Sequence, residues 1–134
     1  MKNFLNFITG TVLTGLAYIL GGWDTALQTL VIVMSLDYIT GVCKAIYNKK
    51  LNSTISFKGI VKKVGYLIIV AVAVELDIMT GGTGAIRTLV IYFFVANEGI
   101  SILENWGSMG LPLPQKIFDV LEQLKIENNP KNKQ

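Results

Sequence analysis

The feature that most constrains the fold is a carboxylate, Asp37, in the middle of the otherwise apolar run 25–47. A helix of this length extends about 35 Å, enough to cross a hydrocarbon core of about 30 Å. Asp37 then lies near the bilayer midplane, where a carboxylate costs about 2.5 to 3.5 kcal/mol on insertion scales. We therefore expect Asp37 to face protein or water and to have a function.

The apolar residues occur in long blocks rather than in short amphipathic segments. Hydrophobic residues make up 51% of the 134 residues and charged residues 16%, an unusual balance for a soluble chain of this length. The blocks cover about 4–20, 25–47, 59–79 and 85–103. The sequence therefore predicts an all-α integral membrane protein with about four transmembrane helices, which form a bundle over residues 1–106.

Residue usage argues against several classes of function. Histidine is absent and Cys43 is the single cysteine, which removes most metal sites, disulfides within the chain, and catalysis by Cys/His or Ser/His/Asp groups. Basic residues are not interleaved with aromatic ones, so we expect no nucleic-acid binding. We predict no cofactor, no metal and no enzymatic activity.

The distribution of lysines predicts the topology. Between residues 44 and 63 there is no acidic residue, and the lysines are Lys44, Lys49, Lys50, Lys58, Lys62 and Lys63. By the positive-inside rule, this basic segment between the second and third runs is cytoplasmic. The turn 80–84 lacks lysine and is expected outside. Four spans then place both termini in the cytoplasm.

The first run, 4–20, has two interpretations. Lys2 followed by a short apolar stretch is also the pattern of a cleaved signal peptide. No Ala-x-Ala-like site follows, and another apolar run begins almost at once, which favours a retained helix. Its glycines, Gly10 and Gly15, pair at four-residue spacing with Thr14 and Thr11, and we predict them as positions where another helix packs closely.

One face of the second run is polar or small. It comprises Asp37, Gly41, Lys44 and Asn48, which fall within about 60° of one another, with Thr40 beside them. Gly41 and Ala45 form a second pair of small residues on that side. Two interpretations stay open: a hydrogen-bonded seam between packed helices, or a surface that faces water in an assembled state.

A similar polar stripe, less than about 110° wide, follows the fourth run. Its members are Asn97, Ser101, Glu104, Asn105 and Ser108. The stripe continues for three turns and is typical of an interhelical or water-facing seam.

The other charged residues in the apolar runs fall into two layers. Each layer contains acidic and basic residues that can pair with each other. On the outer side, Arg87 is expected to pair with Glu75 and Asp77 across a short turn. On the inner side, acidic and basic residues reach the same level: Glu98 and Glu104 with Lys44, Lys62 and Lys63. Asp37 is left without an obvious partner.

The C-terminal part is expected to lie outside the hydrocarbon core. A break rich in glycine and proline after Trp106 is followed by an amphipathic helix that ends at residue 126, so that 107–126 forms one unit. This helix should lie on the cytoplasmic membrane surface or pack against a neighbouring copy. The polar tail 127–134 is predicted to be disordered.

Four short motifs in order resemble the phage holin family, which includes the clostridial toxin-secretion holins. They are the Asp-Tyr-x-Thr-Gly segment at 37–41, the positions Ser56, Gly59, Lys62 and Lys63, the run 97–105, and the Gly-Leu-Pro-Leu-Pro break at 110–114. The resemblance covers nearly the whole chain. It implies a protein that accumulates in the bacterial cytoplasmic membrane and assembles as a homo-oligomer into lesions. An endolysin or a toxin passes through them, and an antiholin is a further partner to consider.

Two other functions are compatible with the residues. A small ion- or proton-coupled transporter would use Asp37 or Glu98 as its membrane carboxylate, although the sequence has no visible inverted repeat. An antiholin or membrane scaffold would only associate with a partner. Our hypothesis for a holin is that the polar seams of the second and fourth helices face inward in the monomer and meet water in the assembly.

Overall fold

The computed structural model describes residues 1–129 and 131. In that part of the chain it contains five helices and no strand: α1 Lys2–Ile19, α2 Thr25–Tyr47, α3 Ser53–Met79, α4 Ala85–Ser108 and α5 Gln115–Glu127. The all-α prediction is confirmed. Helix α3 begins six residues before the predicted apolar run, and α4 continues five residues beyond it.

Side chains at the turns end one helix and begin the next. The Asp24 carboxylate accepts the Leu27 N–H at 2.9 Å and caps α2, and the Asn52 side chain accepts the Thr54 N–H at 2.7 Å and caps α3. Such caps satisfy backbone donors that a helix N-terminus leaves free. The turns are short, so α3 runs back along α2 and α4 runs back along α3.

Helices α2, α3 and α4 form the packed body of the protein. Their shared core consists of Leu30, Met34, Val70, Ile91 and Phe94. The Tyr66 ring of α3 stacks on Phe94 of α4 with centroids 4.0 Å apart. Helix α4 contacts α2, α3 and α5, which makes it the central element.

Helix α1 stands apart from this body. It has no buried residue, and apolar side chains such as Phe4 and Phe7 are about 70% exposed (68% and 71%). A Cβ added at Gly10 or Gly15 would have no neighbour within 4 Å. Within one chain, these predicted packing positions therefore have no helix against them.

Two helices, α2 and α4, are long and apolar enough to cross a membrane. Helix α3 is longer but bears five charged residues, Lys58, Lys62, Lys63, Glu75 and Asp77. The structure thus supports a membrane location, and four spans remain a prediction.

The amphipathic helix α5 packs on its own chain. It runs antiparallel to α4, with Leu113 against Gly107 and Leu121 against Gly99; a Cβ at Gly99 would lie 2.9 Å from Leu121 Cδ1. The sequence did not predict this contact, which forms because two glycines open a groove on α4 that leucines fill. A position of α5 at the membrane surface or against a neighbouring copy stays a prediction. Of the predicted tail, Glu127 still belongs to α5, and residues 130 and 132–134 lie outside the described residues.

Filling this groove should release α5. We expect Gly99→Ile to detach the helix, since overpacking costs about 1 to 3 kcal/mol, and to speed tryptic cleavage at Lys116 at least about fivefold. Gly65→Ile is the matched control, because a Cβ at Gly65 meets no atom within 4 Å. Equal cleavage of the two variants would contradict the packing.

Candidate functional site

Three charged side chains, one from each helix of the body, form an ion triad inside the bundle. The Lys63 ammonium on α3 donates to Asp37 Oδ2 on α2 at 2.7 Å and to Glu98 Oε2 on α4 at 2.5 Å. The three side chains are 11%, 14% and 0% exposed, in that order. A buried charge is tolerated when it is paired and hydrogen-bonded, so the triad ties α2, α3 and α4 together.

The expectation that Asp37 has no partner is wrong. Asp37 lies ten residues before the end of α2 at Tyr47, and Lys63 lies ten residues after the start of α3 at Ser53. Because the two helices form an antiparallel hairpin, equal distances from the turn bring the two residues to one level. The equal spacing can be counted in the sequence, but it predicts this ion pair only once the first residue of α3 is known.

Glu98 is the most buried member of the triad and its second oxygen is poorly satisfied. Among the described residues, Glu98 Oε1 has no hydrogen-bond partner. The Lys62 ammonium lies 3.9 Å from this oxygen, on a side chain that is 52% exposed. The triad alone has two carboxylates for one ammonium, and Lys62 is placed to offset the difference.

An amide on α4 extends this network. Asn105 Nδ2 donates to Asp37 Oδ1 at 3.2 Å and to Thr40 Oγ1 at 3.1 Å. Asn97, on another side of α4, donates to the Tyr66 hydroxyl at 2.6 Å.

The predicted stripe of α4 is therefore divided between different surroundings. Of its members, Asn105 is buried within the body, whereas Glu104 and Ser108 are exposed. Glu98, which is not part of the stripe, is buried as well. The expected role of Glu104 in the inner charged layer has no support in the geometry, since no ion pair of Glu104 occurs among the described residues.

A second charged group, which we call the outer cluster, comprises Asp24, Asp77 and Arg87. The Arg87 guanidinium forms a bidentate pair with Asp24, with Nη1–Oδ2 2.7 Å and Nη2–Oδ1 3.1 Å. Its remaining donors reach the carbonyls of Leu20 at 2.7 Å and Gly22 at 3.1 Å. Arg87 thereby fixes the α1–α2 turn to the start of α4.

Gly21 makes this approach feasible. Its φ is +87°, and a Cβ there would lie 2.5 Å from Arg87 Nε, so any other residue would be strained and would also collide with the guanidinium. Hydrogen bonding from Arg87 lowers the pKa of the Asp24 carboxyl below its ordinary value of 3.8, and Asp24 is anionic at neutral pH.

The predicted pairing of Arg87 with Glu75 and Asp77 is corrected by this geometry. Asp77 instead accepts the backbone N–H groups of Ile86 and Arg87 at 2.9 and 2.8 Å, because the cap position of α4 is Gly84, which has no side chain to do so. Glu75 is exposed. Asp24 was missed as a site residue, although an aspartate directly before an apolar run is a helix-cap signal.

The triad and the outer cluster are separated by a thin apolar layer. From Arg87 to Glu98 along α4 is about 16 Å, and from Lys63 to Asp77 along α3 is about 21 Å. A hydrocarbon core is about 30 Å thick. The two clusters are therefore closer together along these helices than the two faces of such a core.

A cavity of about 330 Å³ adjoins the triad on its basic side. Asp37 and Lys63 form one end of its wall, and Gly41, Lys44 and Ala45 of α2 continue it toward the basic turn. Ser101 and Asn105 of α4 also line it. The predicted polar face of α2 thus borders an open space along much of its length, and Asn105 of α4 contacts it at Asp37, Thr40 and Gly41.

Loss of the outer ion pair should destabilise the fold in a pH-dependent manner. Because the pKa of Asp24 is lowered in the folded chain, its stabilising effect is complete above pH 3.8 and is lost as the pH falls through the lowered pKa. We expect Asp24→Asn to lower the thermal unfolding temperature in detergent at pH 6 but progressively less below pH 3.8. Glu75→Gln, which removes an exposed carboxylate, should change it little at either pH, and a constant deficit of Asp24→Asn would contradict the pairing.

Comparison with known proteins assigns the family. Residues 14–126 match the model of the bacteriophage holin family. The chain is 45% identical to a 14.9 kDa protein in the nagH 3′ region of Clostridium perfringens, over 98% of this chain and all of that one. It is 33% identical to a probable holin of Bacillus phage phi105, over 78% of each chain. No solved structure matches the chain. On these matches, the chain belongs to the bacteriophage holin family.

Proposed function

We propose that this protein is a holin, whose copies oligomerise in the bacterial cytoplasmic membrane and form lesions that release an endolysin or a toxin. Family membership and the likeness to a probable phage holin support the class of function. The observation in the structure that carries the proposal is the ion triad, a buried charged link between three helices. The function requires no catalysis.

In the proposed topology, the basic segment 44–63 and both termini are cytoplasmic and the turn 80–84 is outside. Helices α2, α3 and α4 cross the membrane as one body, and α1 crosses beside it. Among the described residues, no atom would lie within 4 Å of a Cβ at Gly10 or Gly15 of α1, and these positions are available for a helix of another copy.

We call the packed monomer, in which Asp37 and Glu98 face inward, the closed state. The triad stabilises this state. Removing charges from water is costly, and the attraction between them repays that cost only when every charge is well partnered. Lys63 is shared by two carboxylates, and Glu98 Oε1 remains without a hydrogen bond among the described residues. The closed state therefore retains part of the free-energy cost of removing these charges from water, and hydration would remove that cost.

In the proposed assembly, the charges of the triad come into contact with water. When copies meet, the faces of α2 and α4 that bear Asp37 and Glu98 separate from each other and border a water-filled opening, where the charges are hydrated. The apolar layer that resists this change is only about 16 to 21 Å thick. The membrane potential adds a bias of about 2.3 kcal/mol per charge per 100 mV, so its collapse shifts the balance between the two states.

Two substitutions in the triad should change lysis timing in opposite directions. Asp37→Asn leaves the neutral pair Lys63–Glu98 in the closed state and removes one charge that hydration would favour, so we expect delayed lysis. Lys63→Met removes the cation that Asp37 and Glu98 share and leaves Glu98 only the more distant Lys62. Breaking a buried pair costs about 3 to 5 kcal/mol, so we expect earlier lysis or reduced accumulation. The measurement is lysis time after induction together with membrane abundance.

Exposed positions on α3 provide matched controls. Glu75→Gln removes a carboxylate and Lys58→Met removes an ammonium outside the triad, and both should lyse on the wild-type schedule. Unchanged timing at unchanged abundance in both triad variants would refute the role of the triad.

Co-expression with a cytoplasmic endolysin tests the function itself. A holin releases the endolysin abruptly after a delay, whereas a transporter gives saturable solute flux and an antiholin or scaffold does neither. Abrupt release that requires this chain is the expected outcome.

Cysteine accessibility tests the topology. With Cys43 replaced by serine, Lys50→Cys should be labelled by an impermeant reagent only from the cytoplasmic side and Thr83→Cys only from outside. Thr83 is preferred to its neighbour Gly82, whose φ of +72° disfavours a side chain. Labelling of both positions from one side would overturn the arrangement.

A further inference from the structure

The cavity beside the triad has unneutralised positive charge at its basic end. Lys44, Lys50 and Lys63 line it, and Lys63 is engaged by Asp37 and Glu98. Within the described part of the chain, Lys44 and Lys50 have no acidic group within 4 Å. The Asp37 carboxylate also lines the cavity but is paired with Lys63. The ammonium groups of Lys44 and Lys50 therefore make the cavity favourable for an anion.

The same cavity has an apolar wall. Tyr38, Val42 and Ala45 of α2 and Leu51 of the turn line it beside the lysines. Its volume of about 330 Å³ lies at the lower end of the range of small-molecule pockets. The lining is therefore suited to an amphiphile that has one anionic end, rather than to a bare ion.

We propose that this cavity binds the headgroup of an anionic phospholipid. The phosphate would lie between Lys44 and Lys50, where hydroxyl and amide groups of Asn48 and Ser56 also line the wall, and the start of the acyl chains would contact Val42. Basic pockets between membrane helices on the cytoplasmic side are known to take such headgroups. A free phosphate could satisfy the lysines but would leave the apolar wall without a partner.

The site has a consequence for the triad. A phosphate placed beside Lys44 adds a negative charge to the space that Asp37 and Lys63 border, in surroundings where charges are weakly screened. Bound lipid would fill the route by which water reaches the triad from the basic side. The proposed site thus couples lipid composition to the closed state.

This inference rests on one part of the proposed function, namely that the basic segment lies at a membrane surface. It does not require that the protein form lesions. A binding measurement on the purified full chain is independent of lysis, so its failure is distinguishable from failure of the holin assignment.

The test compares lipid binding to the detergent-solubilised full chain by native mass spectrometry. The probes are phosphatidylglycerol and phosphatidylcholine with identical acyl chains, titrated separately. The variant is Lys44→Gln with Lys50→Gln, and the control is Lys58→Gln with Lys116→Gln, which removes the same charge from lysines that do not line the cavity. Ala45→Phe fills the cavity without altering charge.

We expect phosphatidylglycerol to bind the wild type and the control alike, and phosphatidylcholine to bind both weakly. Each lysine near an anionic group is worth about fivefold in affinity, so the double variant should lose about thirtyfold. Ala45→Phe should also lose binding while keeping the wild-type helix content by circular dichroism.

Three outcomes would overturn the proposal: equal loss in the control and the cavity variant, equal binding of the two lipids, or unchanged binding in Ala45→Phe. Competition distinguishes the source of the phosphate. Millimolar inorganic phosphate should leave phosphatidylglycerol binding intact, and displacement at that concentration would identify a simple anion site instead of a lipid site.

Discussion

The structure depends on one buried ammonium group, that of Lys63, which is shared by Asp37 and Glu98. Each of the three helices of the body contributes one member, so no pair of helices can separate without leaving a charge unpaired in a medium of low dielectric constant. The apolar core of Leu30, Val70 and Ile91 stabilises the same contacts but has no comparable specificity. The triad therefore fixes the register of the helices as well as their proximity.

The two charged clusters differ in how completely their polar groups are hydrogen-bonded. In the outer cluster, each of the three guanidinium nitrogens of Arg87 donates to an acceptor within residues 20–24. The triad, in contrast, is under-satisfied at Glu98 and borders a cavity. One charged cluster of the body is thus well hydrogen-bonded, and the other is under-satisfied and borders an open space.

From its sequence position Asp37 is predicted to be functional but without a partner, whereas it pairs with Lys63. Arg87 is predicted to pair with Glu75 and Asp77, whereas its guanidinium pairs with Asp24. Both errors have the same cause. Pairing of embedded charges depends on the depth and the facing side of each residue, and these follow from where each helix starts and how the turn is built. Because α3 begins at Ser53, Lys63 reaches the level of Asp37, and because Gly84 precedes α4 without a capping side chain, Asp77 accepts the free backbone N–H groups.

The sequence by itself determined the properties that are local: the helical class, the long apolar blocks, the amphipathic character of α5 and the asymmetry of lysines, since these depend only on residue type and spacing. The tertiary structure decided which charges meet, that α5 packs in the glycine groove of α4 whereas α1 buries none of its residues, and that the polar face of α2 borders a cavity. These are contacts between residues distant in the chain, and a periodic pattern gives the direction of a side chain without naming what it faces.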